Sequence, residues 1–357
     1  MKLMIVDDSL TYRLILKEIL RHIPETEIVA TATHGQDALQ KLAELSGQVD
    51  LMLLDLQMPV MDGMQTLDAM REQYPHVNVV VVSGLNVENA DLTIRALEKG
   101  AIDFIRKPDH AEADENFEEL LKQMEFIVAS CKKKNSSKQS PVSEPRLSTL
   151  PAQSQTRRAP VTRHKDIQVV TIGISTGGPA ALSELIPNLP ARLNVPILIV
   201  QHMPPLFTRS LADSLQAKSA LRVVEAAADD ILEPGTVYIA PGGNHMAVRT
   251  EHENTRIYLP DLPPEHSCKP AVDVLFRSVE QVYGGNTLAI IMTGMGNDGA
   301  LGMQILKKSG AYCISQTAES CVIYGMPRAV DEMGLPDEHV SLADMPNRIT
   351  QLVCKGQ

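Results

Sequence analysis

Two groups of residues in this 357-residue chain have the types and spacing to do chemistry. The first is acidic. Asp7 and Asp8 follow the apolar run LMIV (3–6), and Asp55 lies at the end of DLMLLDL (50–56). Ser83 closes VNVVVVSG (77–84), and Lys107 closes AIDFIRK (101–107). Three carboxylates brought to one place repel one another unless a cation joins them, and a hard cation such as Mg²⁺ prefers oxygen ligands. A hydroxyl and an ammonium at the same edge would neutralise and hold a phosphoryl group on a carboxylate oxygen. The second group is Ser175, His202 and Asp298, after VVTIGIS (169–175), VPILIVQH (195–202) and LAIIMTG (288–294). A serine hydroxyl needs a base before it can attack, and a carboxylate can orient and charge-stabilise the imidazole that serves as one. Glycines flank Ser175 in GISTGG (173–178). They permit a sharp strand-to-helix turn that presents a hydroxyl above a sheet. The amides that open the following helix can bind a developing oxyanion.

These groups can act only if parallel strands set their ends along common edges. Apolar runs at 3–6, 27–32, 50–56, 77–84 and 101–107 alternate with helix-patterned segments at 9–22, 36–45, 65–74 and 88–99, and a helix at 114–130 closes the series. Five strands, each followed by a helix, predict an α/β domain with a parallel sheet covered on both faces, because parallel neighbours need crossovers. Its carboxyl edge is where a crevice forms. From residue 166 the alternation resumes with runs at 169–175, 195–202, 236–240, 288–294 and 311–315, and 255–259 reads as a smaller hairpin strand. The segment 132–165 holds nine Lys/Arg against one Glu, with four Pro, six Ser and no aromatic residue. Too little of it can be buried to offset its ordering entropy, so it is expected to be a flexible basic linker. The expected organisation is therefore residues 1–131, a linker at 132–165, and a second α/β domain at 166–357.

Composition narrows the function classes. A net charge of −11 offers no global attraction for nucleic acid or an anionic membrane. With no Trp and 3% aromatics, base-stacking platforms are disfavoured, and no helix-turn-helix pattern follows residue 166. Five cysteines without a CxxC pair read as reduced thiols, and MKLMIVDDSL is too short and acidic for a signal peptide. No run approaches the length of a membrane span, so a cytoplasmic location with no membrane insertion is expected. Gly294, Gly296 and Gly299, with Glu319 further on, also fit a dinucleotide fingerprint. Asp298 would put a carboxylate where the pyrophosphate must sit, which weighs against that reading.

LLDLQMPVMDG (53–63) together with FIRKP (104–108) resembles the receiver domain of two-component response regulators over residues 1 to about 125. The resemblance implies a flavodoxin-like (βα)5 sheet in which Asp55 accepts a phosphoryl group from a sensor histidine kinase. Asp7 and Asp8 would hold Mg²⁺ beside Asp55, and Lys107, Ser83 and the aromatic Phe104 would form the phosphate switch. IGISTGGP (172–179), IVQHMPPLFT (199–208), APGGNHM (240–246), AVDVLFRSV (271–279), MTGMGNDGALG (292–302) and YGMPRAV (324–330) resemble the catalytic domain of bacterial chemotaxis protein-glutamate methylesterases. That likeness implies a Rossmann-like α/β domain that needs no cofactor. Its activity would be hydrolysis of glutamyl γ-methyl esters on chemoreceptors and deamidation of certain receptor glutamines. Ser175 is carried over as nucleophile, His202 as general base and acid, and Asp298 as orienter, with the Thr176 and Met295 amides as oxyanion donors. A phosphorylated receiver is expected to uncover the catalytic cleft. The family pattern has Ser where this chain has Ala271, and His245 and His266 are expected to line the cleft.

Overall fold

The computed structural model describes residues 1–84, 86–107, 113–137 and 166–354. The first domain is a five-stranded parallel sheet of β1 (Lys2–Val6), β2 (Glu27–Ala32), β3 (Leu51–Asp55), β4 (Asn78–Ser83) and β5 (Asp103–Arg106), in the order β2-β1-β3-β4-β5. Helices α1 (Leu10–Arg21), α2 (Gly35–Glu44), α3 (Gly63–Gln73), α4 (Val87–Glu98) and α5 (Ala113–Ser137) connect and cover it. Alternation along the strands decides the layers. Met4, Val6, Met52 and Leu54 point to one core, and Leu3, Ile5, Leu51 and Leu53 to the other. The two faces are therefore both dry, which accounts for the unbroken apolar runs. Asp62 starts α3 with a reciprocal capping box to Gln65. Helix α5 continues to Ser137, past residue 131, where the first domain was expected to end. Lys132, Lys133 and Lys134 are good helix formers, so a basic run does not by itself end a helix. The remainder of the expected linker, 138–165, lies outside the described residues.

The second domain comprises β6 (Val169–Ile174), α6 (Gly178–Leu185), β7 (Ile197–Gln201), α7 (Phe207–Gln216), β8 (Arg222–Glu225), β9 (Thr236–Ile239), β10 (Ala247–Glu251), β11 (Asn254–Tyr258), α8 (Val272–Tyr283), β12 (Thr287–Ile291), α9 (Ala300–Lys308), β13 (Tyr312–Gln316), α10 (Met326–Glu332), β14 (Glu338–Val340) and α11 (Met345–Val353). Seven strands form a parallel sheet in the order β14-β13-β12-β6-β7-β9-β8, and β10 and β11 form a separate antiparallel hairpin. The chain winds outward from β6 to β7 and later returns on the other side at β12, so the strand order switches direction at β6. A crevice opens at such a point, beyond the carboxyl ends of the strands. Strands β8, β10 and β14 had not been anticipated. β8 and β14 are sheet edges of four and three residues, too short to show a period.

The two domains meet through one face of each. The edge strand β5 of the first sheet, flanked by α4 and α5, lies over α6, α7 and the switch-point crevice of the second. Glu98 at the end of α4 accepts hydrogen bonds from Ser183 (2.9 Å), Ser214 (2.6 Å) and Lys218 (2.5 Å). Phe104 of β5 stacks on Phe207 of α7, with ring centroids 4.5 Å apart.

Candidate active site

Ser175, His202 and Asp298 follow β6, β7 and β12, three adjacent central strands. Ile174 pairs with Gln201 in register, and the His202 amide donates to the Ile174 carbonyl at 3.2 Å. The residues after these strands are therefore neighbours on one edge, and Ser175, His202 and Asp298 line one cavity of about 440 Å³. His202 Nε2 is 2.8 Å from Asp298 Oδ2. Asp298 in turn accepts from the Val272 amide (2.7 Å) and the Asp273 amide (2.9 Å), the first residues of α8. Its carboxylate thus sits at a helix N-terminus, where backbone donors and the helix dipole favour negative charge. This explains how Ala271 can occupy the N-cap of α8 without a side-chain cap of its own. The capping is supplied by Asp298 from another element.

Electrostatics follow from that arrangement. Burial acts against charge on Asp298, but the hydrogen bond and charge of His202 and the two amides outweigh it and hold the carboxyl below its ordinary range. Burial also acts against protonation of His202. The hydrogen bond and charge of Asp298, with the nearby Cys268 sulfur adding, overcome it and raise the imidazole to about 9. The resting imidazole is therefore protonated at neutral pH. Ser175 Oγ makes no hydrogen bond among the described residues, and the residue is only 8% exposed.

The turn that carries Ser175 is held tightly. Its amide donates to the Thr293 carbonyl (3.0 Å), and its carbonyl accepts from Gln201 Nε2 (3.1 Å) and the Gly178 amide (2.7 Å). Gly177 takes a left-handed conformation (φ 77°) to start α6, which an L side chain rarely adopts. Gly294 packs directly against the nucleophile turn; a Cβ there would lie 2.7 Å from the Ser175 Cβ and 2.5 Å from Met326 Sδ. The Thr176 amide donates to no backbone carbonyl among the described residues, and Met295 lines the same cavity. Thr176 O accepts from Thr293 Oγ1 at 3.0 Å, which ties the Ser175 turn to the loop after β12.

The opposite wall of the cavity belongs to the first domain: Leu97, Ile102, Asp103, Phe104, Phe126 and Ile127 are part of it. Asp103 Oδ2 accepts from Thr176 Oγ1 at 2.6 Å, one residue from Ser175. Burial raises the Asp103 carboxyl to about 6 against the opposing hydrogen bonds from Thr176 and the Phe104 amide. Asp103 and Glu98 carry this contact, and no sequence motif had marked them. Their importance depends on the placement of the two domains, which local pattern does not encode. Cys268 had not been anticipated either. His245 is fully buried, accepts from the Ala271 amide and contacts the Pro263 carbonyl, and takes no part in the cavity wall, contrary to expectation; His266 does line it.

In the first domain, one carboxylate oxygen from each of Asp7, Asp8 and Asp55 lies within 4.8 Å of the others. Lys107 Nζ reaches Asp55 Oδ2 at 2.7 Å and Asp7 Oδ2 at 2.9 Å. Burial raises the Asp55 carboxyl above its ordinary value, with Lys107 opposing and Asp7 adding to the rise. Ser83 Oγ accepts from Thr93 Oγ1 at 2.7 Å at the end of β4. The donor set is all hard oxygen and over-supplied with negative charge, which suits a divalent cation. All the residues picked out for this pocket converge at one edge except Phe104, which lies in the domain interface.

A parallel-sheet receiver with an acidic strand-end pocket, joined to a second parallel sheet with Ser, His and Asp at its switch point, defines a response regulator with an attached hydrolase-type domain. Comparison with known proteins gives the family. Residues 170–349 match the family described as CheB methylesterase, and residues 3–118 match the response regulator receiver domain. The chain belongs to the CheB methylesterase family and carries the receiver domain in front. The protein-glutamate methylesterase/protein-glutamine glutaminase of Desulfotalea psychrophila is 39% identical over 99% of this chain and 98% of its own length. The protein of the same name from Symbiobacterium thermophilum is 41% identical, with the same coverage of both chains. The crystal structure of the Thermotoga maritima CheB methylesterase catalytic domain is 40% identical to this chain, with a TM-score of 0.52. The match covers 52% of this chain and 99% of that one. Among the described residues no helix is long and apolar enough to cross a membrane.

Proposed function

We propose that this chain is a phosphorylation-activated protein-glutamate methylesterase and protein-glutamine glutaminase acting on chemoreceptors. The observation that carries the reading is the pairing of His202 with Asp298 beside Ser175 in one strand-end cleft, in a chain of this family. In the reaction, neutral His202 takes the proton of Ser175 as Oγ attacks the γ-carbonyl carbon of a methylated glutamate. The Thr176 and Met295 amides receive the negative charge that develops on the carbonyl oxygen. Methanol departs with the proton returned by His202 and leaves a glutamyl ester on Ser175. Water, deprotonated by the same imidazole, releases the free carboxylate. A glutamine side chain follows the same course with ammonia as the leaving group.

Control comes from the receiver. The face of β5, α4 and α5 roofs the cleft over Ser175. Asp55 accepts the phosphoryl group from a sensor histidine kinase, with Lys107, 2.7 Å away, as its cation and Ser83, at the end of the adjacent strand β4, as the hydroxyl. Asp7, Asp8 and Asp55 would hold Mg²⁺, which supplies charge neutralisation for the phosphoryl oxygens. Phe104, clasped against Phe207, links a change in that pocket to the interface, and a shift toward the separated arrangement exposes the site. Methanol release from methylated receptor membranes, with and without acetyl phosphate, tests the function. The reading requires release that rises with the phosphodonor and fails in Asp55→Asn. Absence of methanol under both conditions would overturn it.

A further inference from the structure

One buried side chain reaches the turn of the nucleophile and the turn of the base together. Gln201 ends β7, immediately before His202, and is 2% exposed. Its Nε2 donates to the Ser175 carbonyl and to the His202 carbonyl, each at 3.1 Å. Both hydrogens of the amide are thereby used, one on each turn. The reversed amide would set Oε1 against two carbonyl oxygens, so the partners themselves fix which end is which. Strands β6 and β7 already pair through their backbones as far as Ile174 and Gln201. The side-chain tie is therefore an addition beyond the end of the ladder.

The other end of that amide is costly. Gln201 Oε1 is buried and accepts no hydrogen bond among the described residues. An orphaned buried acceptor destabilises a fold, and a methionine of similar shape would avoid the penalty. Gly178 shows how closely the side chain is seated. A Cβ there would lie 1.8 Å from Gln201 Oε1 and 2.8 Å from its Cδ. No positive φ demands a glycine at that position, so it is the glutamine that excludes a larger residue. Stability alone therefore does not account for Gln201, whereas its two donations do.

The peptide that joins Ser175 to Thr176 gives those donations a chemical meaning. In a trans peptide the carbonyl and the following amide point in opposite directions. Pinning the Ser175 carbonyl from β7 therefore fixes the direction of the Thr176 N–H, the donor assigned to the oxyanion. The Gly178 amide also donates to that carbonyl (2.7 Å), but it belongs to the same turn and moves with it. From the β12 side, Thr293 Oγ1 donates to the Thr176 carbonyl (3.0 Å), and the Thr293 amide donates to Gln316 Oε1 (2.8 Å). Neither of these bonds involves His202. We propose that Gln201 is a positioning residue of the esterase: its side-chain amide aims the Thr176 oxyanion donor and holds the turn of the base in register with it. The proposal rests on the assignment of Ser175, His202 and the Thr176 amide to the reaction. An oxyanion donor acts where charge develops, so misaiming it slows the chemical step and leaves ground-state binding nearly unchanged.

The test uses the full-length protein, treated with acetyl phosphate and then with a fluorophosphonate. The adduct on Ser175 is followed by peptide mass over time, and its concentration dependence gives kinact and KI separately. Gln201→Met should lower kinact by about ten- to a hundredfold while KI changes by less than about threefold. Methanol release from methylated receptor membranes should lose a similar factor in kcat, and the circular-dichroism melt should stay close to that of the unaltered protein. Gly178→Ala is a second route, because its methyl displaces the Gln201 amide without removing it. It should reproduce the loss in kinact, and in a Gln201→Ala background, where the methyl has room, it should add nothing further. Should Gln201→Met not fold, the Gly178→Ala pair decides alone. Unchanged kinact in a folded variant, a raised KI with kinact kept, or a loss that Gly178→Ala deepens in the Gln201→Ala background would overturn the proposal. No label on Ser175 in the unaltered protein would remove the nucleophile on which it rests. Labelling reads no methyl ester, so labelling as expected without methanol release would contradict the proposed function and leave the role of Gln201 standing.

Discussion

Glu98 is the perturbation that most sharply separates a roofed active site from a merely adjacent receiver. Its carboxylate collects Ser183, Ser214 and Lys218 from the second domain and is itself 14% exposed. Burial acts against its charge, but Lys218 and the two hydroxyls outweigh it, so its carboxyl lies below the ordinary value and is charged at neutral pH. The Lys218 arm is 43% exposed and contributes little after screening. The two hydroxyls donating to a charged, buried acceptor together hold the domains by about 2–3 kcal/mol. Glu98→Ala should therefore shift the closed–open equilibrium toward open by roughly 30- to 150-fold. In a methanol-release assay on receptor membranes without phosphodonor, the variant should show a basal rate raised by about tenfold or more, with correspondingly less stimulation by acetyl phosphate. A circular-dichroism melt checks that it remains folded. Basal and stimulated rates equal to those of the unaltered protein, in a folded variant, would refute the idea that this contact keeps the cleft covered.

Other outcomes follow from the same geometry. With His202 raised to about 9, only about one molecule in a hundred has a neutral base at pH 7. Hydrolysis of a small acyl ester should accordingly climb with pH until about 9, and Asp298→Asn should bring the midpoint down toward 6.5 while cutting the plateau by orders of magnitude. The raised value also means that His202 contributes stability below pH 6.5 that is lost as pH rises through about 9, which urea titrations across that window will read. Lys107→Ala removes the cation paired with Asp7 and Asp55; acetyl phosphate should then stimulate methanol release weakly or not at all while the basal rate is kept. Gly294→Ala forces a methyl against the Ser175 Cβ and Met326, so turnover should fall sharply with a loss of about 1–3 kcal/mol in denaturant stability.

Much of the site was legible because its residues close long apolar runs. β6, β7 and β12 are wholly buried strands, so their ends could be read directly from the hydrophobic pattern, and Ser175, His202 and Asp298 with them. The same holds for Asp7, Asp55 and Ser83 in the receiver. β8 and β14 escaped because three- or four-residue edge strands show no period, and the end of α5 because lysines are as compatible with helix as with linker. Asp103 and Glu98 were illegible for a deeper reason. Each acquires its role from a partner on the other domain, and spacing along the chain says nothing about such a meeting.

The most direct test of the account is to treat the full-length protein, phosphorylated with acetyl phosphate, with a fluorophosphonate and locate the adduct by peptide mass. One adduct on Ser175, lost in His202→Ala and strongly slowed in Asp298→Asn, is the predicted result. Labelling that leaves Ser175 unmodified, or that proceeds equally well without His202, would contradict the assignment of nucleophile and base.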